Sequence, residues 1–155
     1  MMKEKNRPHL VFIRHAHRDK PIPDADNGLS QKGREQVEDL VKDYKKEHLP
    51  PSQVFWSSPK KRCIETLKPI TEQAKARLHI EKLLDEQQGA EGSQKFQERI
   101  EALIEKAQTE ETTVYLCSHG DLIPEALDML TGKFIDISKG EAIQVQFKNG
   151  EWKLL

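Results

Sequence analysis

Short apolar runs alternate along this chain with longer stretches in which apolar residues recur every three or four positions. The runs are His9–Ile13, Val54-Phe55-Trp56 and Val114–Cys117, and a third strand is expected besides, from about His79 to Leu84. Their length and continuity predict strands of a parallel sheet buried on both faces. Between them, Val37, Leu40, Val41 and Tyr44 form one helical stripe. Cys63, Leu67, Ile70 and Ala74 form a second, and Phe96, Ile100, Leu103, Ile104 and Ala107 a third. A fourth helix is expected over Asp121 to Leu130 with Gly132 closing it. Ser30 is placed to cap the first helix, which Pro50-Pro51 would end, and Pro21 to Leu29 is a Pro/Asp/Gly-rich loop. Ser58-Pro59 reads as an N-cap and first helical position, with Pro69 kinking that helix near its middle. Strand–helix alternation without repeats or linkers predicts one domain over 1–155. Its expected architecture is a three-layer α/β/α sandwich around a mainly parallel sheet.

The C-terminus changes that pattern. Lys148-Asn149-Gly150-Glu151 is a two-residue hairpin signal, because Asn-Gly accepts the positive φ angles of a type I′ turn. The implied register sets Phe147 opposite Trp152 and Val145 opposite Leu154 on one face, with Lys148 facing Glu151 and Gln146 facing Lys153 on the other. An antiparallel hairpin strand therefore completes the sheet.

Composition narrows the classes of function. Hydrophobic and charged residues make up 35% and 33% of 155, a balance that suits a core wrapped in charged helices. The net charge of −1 argues against nucleic acid or anionic membrane as a partner. No apolar run reaches the roughly 18–20 residues of a membrane span, and the charged opening from Met1 to Arg7 lacks a secretory pattern. Cys63 and Cys117 are too few for a disulfide framework and are read as core thiols. A cytoplasmic location is expected.

Three strand-to-loop junctions hold the groups with chemistry. Arg14-His15 follows the first strand, Arg62 opens the helix after the second, and His119-Gly120 follows the fourth. The carboxyl ends of parallel strands open on one side of the sheet, where ligands of such folds bind. Two guanidiniums, two imidazoles and a helix start would then share one crevice. Bidentate arginines and oriented N–H groups match a phosphate.

These segments resemble the histidine phosphatase superfamily, the phosphoglycerate-mutase-like fold. Arg14-His15-Ala16 resembles its Arg-His-Gly signature, and Ser57-Ser58-Pro59 with Arg62 and Thr66 its second segment. Leu84-Asp85-Glu86, followed by Gly89 and Glu91-Gly92, is similar to the loop carrying the family's acid. Ser118-His119-Gly120 matches the last signature, and Leu29-Ser30-Gln31-Lys32-Gly33 with Gln36 the entry to the first helix. The resemblance spans about residues 9 to 130. It implies that His15 accepts the phosphoryl group while Arg14, Arg62 and His119 hold its oxygens. It also implies that Glu86 protonates the leaving oxygen and then activates water. Neighbouring cations should keep His15 unprotonated, and the arginines supply the charge that a metal would otherwise provide, so no cofactor or metal is expected.

Some positions depart from the family pattern. Ala16 stands where glycine is usual and would narrow the approach to the phosphate, although small phosphohistidine-phosphatase-like members also read Arg-His-Ala. His17 and Arg18 are candidates for a cationic rim. A zinc site of His15, His17 and His119 is disfavoured, because it would press Arg14 and Arg62 against a cation. Asp121 reads as a helix cap rather than an acid. The short stretch between Arg62 and Glu86 leaves no room for a lid, which suits a phosphorylated small molecule or a phosphoprotein as substrate. The expected function is hydrolysis of phosphomonoesters or phosphoramidates through phospho-His15. A silent phosphate-binding module and a mutase-like phosphotransferase are the alternatives.

Overall fold

The computed structural model describes residues 9–21 and 25–155. The charged opening and positions 22–24 of the Pro/Asp/Gly-rich loop lie outside them. Strands β1 (His9–Arg14), β2 (Val54–Ser57), β3 (Leu78–Ile80), β4 (Val114–Ser118), β5 (Ala142–Lys148) and β6 (Glu151–Leu154) form one sheet in the order β3-β2-β4-β1-β5-β6. The first four are mutually parallel, while β5 and β6 add antiparallel. Helices α1 (Gln31–Lys45), α2 (Lys61–Gln73), α3 (Ser93–Gln108) and α4 (Ile123–Thr131) cover the two faces.

The period of two along each strand decides which face receives which side chain. Val11, Ile13, Phe55, Tyr115 and Cys117 pack with Leu40, Leu67 and Ile70 of α1 and α2. Their neighbours Leu10, Phe12, Trp56, Val114 and Leu116 pack with Ile100 and Leu103 of α3 and Ile123 and Leu127 of α4. Three layers result. The mainly parallel α/β/α sandwich and its C-terminal hairpin are therefore as the sequence implies. Phe147↔Trp152, Val145↔Leu154, Lys148↔Glu151 and Gln146↔Lys153 all pair as expected, and Asn149 and Gly150 take φ of 54° and 82°.

Several boundaries differ from those expected. Helix α1 ends at Lys45, before Pro50-Pro51, where Glu47 turns left-handed with φ 63°. Helix α2 begins at Lys61 rather than Pro59; the Ser58 hydroxyl lies outside it, meeting His119 Nε2 at 2.8 Å and accepting from Lys60 N at 3.3 Å. Asp26 Oδ1 accepts from Lys61 N at 2.9 Å, so a distant loop supplies the cap and that N–H is not left for a ligand. Helix α2 runs unbroken across Pro69. The third strand stops at Ile80, and a 3₁₀ turn over Lys82–Leu84 follows because Glu81 accepts from Leu83 N and from Lys106. Helix α4 starts at Ile123, and Asp121 does not cap it: Leu122 N and Ile123 N bond the His119 carbonyl, while Asp121 Oδ2 accepts from Gln87 N. Gly132 closes α4 with φ 78°, as its position predicts.

Candidate active site

The carboxyl ends of β1 and β4 lie side by side, with Arg14 paired to Ser118. His15 N extends the ladder by donating to the Ser118 carbonyl at 3.0 Å. The next residue on each chain is therefore a histidine, and the two rings lie 5.5 Å apart. Strand β2 pairs to the other side of β4 and delivers Ser58 and, through α2, Arg62. A cleft of about 300 Å³ opens there, lined by Arg14, His15, Arg18, Lys20, Arg62, Glu86, His119, Gly120, Asp121 and Lys139.

His15 is buried, and its Nδ1 lies 2.9 Å from the Ala16 carbonyl. A carbonyl can only accept, so Nδ1 carries the proton and Nε2 keeps the lone pair. Burial is the main cause that lowers the His15 pKa to about 4, opposed by the Ala16 carbonyl and aided by Arg62, Arg14 and Lys139. Neighbouring cations thus act as expected, but desolvation is the larger effect. His119 is lowered further, to about 2, by burial first and then by Arg62 and His15. Arg62 can only donate, so its NH2 at 3.4 Å marks Nδ1 of His119 as the acceptor. Nε2–H then donates to Ser58 Oγ at 2.8 Å.

The two guanidiniums are fixed from behind. Arg14 donates from NH1 to the Ile137 carbonyl at 2.9 Å and lies against Gly120, where a Cβ would stand 2.7 Å from Arg14 Cζ. Arg62 donates from NH2 to Glu86 Oε1 at 2.6 Å. Each keeps a buried Nε with no hydrogen-bond partner among the described residues. An unpaired buried donor costs about 1–3 kcal/mol, which an acceptor entering beside it would recover.

Glu86 lines the cleft at its edge, 3.9 Å from His119 Nδ1. The loop that carries it is clamped by Arg99 of α3. Arg99 donates to the Leu83, Asp85 and Glu86 carbonyls and forms a two-pronged pair with Glu91. That pair, led by the Arg99 hydrogen bonds, lowers the Glu91 pKa to about 2. Glu91 is thus committed to holding the loop. Of the two carboxylates in the cleft, Glu86 touches Arg62, whereas Asp121 is tied to Gln87 N.

Ala16 does not narrow the cleft. Its methyl is fully buried with Leu29 and Val37, its φ is not positive, and its N–H donates to Thr66 Oγ1 at 2.9 Å. The Thr66 hydroxyl in turn donates to the Arg62 carbonyl at 2.7 Å, so one hydroxyl ties the His15 loop to the Arg62 turn. His17 turns away from the lining. Its ring bonds Ser30 Oγ at 2.6 Å and its N–H bonds Gln36, while Arg18 does line the cleft. The His17 carbonyl lies so close to Gly33 that a Cβ there would sit 2.0 Å from it, which explains glycine in the first-helix entry. Among the described residues no three His, Cys, Asp or Glu side chains are grouped to hold a metal. The separate reading of each segment missed Ser58, Arg99, Lys20 and Lys139. Only Ser58, buried at a strand end, left a sequence signal, and it reads equally well as a cap.

The chain matches the histidine phosphatase superfamily (branch 1) over residues 10–92, and it belongs to that superfamily. No curated protein matches it. Among solved structures it resembles a protein assigned as an alpha-ribazole-5'-P phosphatase from Escherichia coli, with TM-score 0.84 and 16% identity over 96% of this chain and 95% of that one. It also resembles a phosphoserine phosphatase from Entamoeba histolytica crystallised with 3-phosphoglyceric acid, at TM-score 0.75 and 17% identity over 95% and 94%. A protein assigned as the phosphohistidine phosphatase SixA from Agrobacterium tumefaciens aligns at TM-score 0.69 and 18% identity, over 96% and 95%. At these identities the likeness is one of fold. Among the described residues no helix is long and apolar enough to cross a membrane.

Proposed function

We propose that this chain hydrolyses phosphomonoesters or phosphoramidates through a phosphohistidine formed on His15, with residues 1–155 acting as one catalytic domain. One observation carries the reading. In a single cleft, His15 holds its proton on the Ala16 carbonyl and so keeps Nε2 bare, beside the guanidiniums of Arg14 and Arg62 that line the same space. A phosphoryl group supplies what each lacks: an electrophile for Nε2 and oxygens for the guanidiniums.

In the first step the phosphoryl oxygens take Arg62 from Glu86, which picks up a proton from solvent; the Nε2 lone pair then attacks phosphorus, the bond to the leaving oxygen breaks, and Glu86 passes that proton to the leaving oxygen. Arg14 and Arg62 face the equatorial oxygens and stabilise their spread charge, and His119 joins them by taking up a second proton as the dianion enters, which gives Nδ1 an N–H to donate. In the second step Glu86 takes a proton from water, the water oxygen attacks phosphorus, and the P–N bond returns its electrons to Nε2. Inorganic phosphate leaves. Two easier displacements replace one difficult one. The arginines supply the positive charge, so the scheme needs no metal. The substrate classes of the structural neighbours, phosphorylated small molecules and phosphohistidine, are the ones to try first. A cytoplasmic setting is proposed along with this use.

The test is turnover of an aryl phosphate and of a phosphohistidine protein, with acid-labile phosphate on the enzyme measured after rapid quenching. His15→Ala should abolish both turnover and labile phosphate. Near-normal release of phosphate by that variant would overturn the reading. Phosphate reappearing on an added alcohol rather than in solution would make the protein a phosphotransferase.

A further inference from the structure

The cleft is more cationic than one phosphoryl group requires. Five cationic side chains line it (Arg14, Arg18, Lys20, Arg62 and Lys139), against two carboxylates that are already engaged. Arg14 and Arg62 suffice for a phosphoryl dianion. The remaining three have no ion-pair partner among the described residues, and the Arg18 guanidinium reaches the Ala25 carbonyl only at 3.4 Å. This gathering occurs on a chain of net charge −1. A general basic surface therefore does not account for it.

Two of the three charges stand on backbone that is held in place. Lys139 sits in the turn before β5, where Gly140 N bonds the Arg14 and His15 carbonyls at 3.1 and 3.2 Å. Its position is thereby fixed relative to the proposed nucleophile. Arg18 is held by a bridge to Leu29 on the segment after His15, and Lys20 follows two residues later. Partial burial, then the charges of Lys20, Arg14 and Arg18, disfavour the Lys139 ammonium. Mutual repulsion of this kind is relieved when an anion enters. The cleft volume of about 300 Å³ lies at the small end of ligand sites, which suits a compact molecule rather than a folded partner.

We propose that Arg18, Lys20 and Lys139 form a second anion subsite, so that the preferred substrate is a small phosphomonoester bearing a further phosphate or carboxylate. This rests on the phosphatase reading for the first subsite. The reacting phosphoryl sits on Arg14, His15, Arg62 and His119, while the second anion pairs with the three outer cations and stays on the released alcohol.

The test uses alkanediol bisphosphates with spacers of about two to five carbons, each beside its monophosphate, and compares kcat/KM for the wild type and a K20Q/K139Q double variant. One spacer length should favour the bisphosphate by about tenfold or more, a preference worth about 1.4 kcal/mol. The double variant should lower that bisphosphate-to-monophosphate ratio about tenfold, mostly through KM, and R18Q should lower it as well. Using the ratio cancels any change common to both substrates. No preference, a preference independent of spacer length, or a ratio unmoved by the variant would overturn the subsite, the second outcome indicating long-range steering alone. Preference for an acidic phosphopeptide over every bisphosphate would also overturn it. If no ester is hydrolysed, the phosphatase reading fails by itself. Calorimetric affinities of the same series then decide the subsite, equal affinities for bisphosphate and monophosphate counting against it.

Discussion

A methyl group on Gly120 would stand 2.7, 2.9 and 3.0 Å from Cζ, Nε and NH1 of Arg14. The backbone there does not need glycine for its φ, so the requirement is one of space. Gly120→Ala should therefore leave the fold nearly intact, at a cost of about 1 kcal/mol or less, while pushing the Arg14 guanidinium out of the cleft. The expected result is a fall in kcat/KM of about tenfold or more with an almost unchanged melting temperature. A loss of stability with full activity would contradict this account. At this scale the sequence was informative about which residues matter and silent about how they are held. Arg14, His15, Arg62 and His119 were legible because three separate signatures fell at three strand ends. The Ala16 carbonyl as a proton holder and the burial that dominates the His15 pKa depend on packing from all around.

Among elements, α3 does more than cover a face of the sheet. Its Arg99 reaches one carbonyl of the 3₁₀ turn, two of the loop after it and both oxygens of Glu91, so it sets where Glu86 stands. Arg99→Leu should loosen that loop. Because the proposed role of Glu86 is to protonate the leaving oxygen, kcat for alkyl phosphates should drop about tenfold, with a smaller drop for aryl phosphates that leave without help. An equal drop for both leaving groups would assign Arg99 a structural role only. The periodic elements themselves were visible in the sequence, as was the hairpin register. Their ends were less so. Ser58 and Asp121 both carry cap chemistry, yet each meets a partner from another segment, His119 in one case and Gln87 in the other.

For the whole molecule, the buried histidines couple the site to stability. His15 and His119 have folded pKa values of about 4 and 2, below the value of about 6.5 expected when unfolded. Between those limits the unfolded chain binds more protons than the folded one. The stability due to their neutral forms is therefore complete above about pH 6.5 and is lost as pH falls, by up to about 1.4 kcal/mol per group per pH unit. Thermal melts from pH 7 to pH 4 should show a falling midpoint, and His119→Asn should flatten the slope. A slope unaltered by that variant would mean that other groups carry the acid sensitivity. Over the same range kcat/KM should keep its value to well below pH 6, since His15 stays unprotonated until about pH 4.

The sequence by itself determined the strands, the helical stripes, the hairpin register and the four residues proposed to bind phosphate. These are local patterns, in which residues a few positions apart must share a face or a turn. Only the tertiary structure decided the sheet order, the partner of each histidine nitrogen, the retreat of His17 from the cleft and the arrival of Lys139 in it. Those outcomes depend on contacts between segments far apart in the chain, and no short-range pattern encodes which distant group will reach a given atom first.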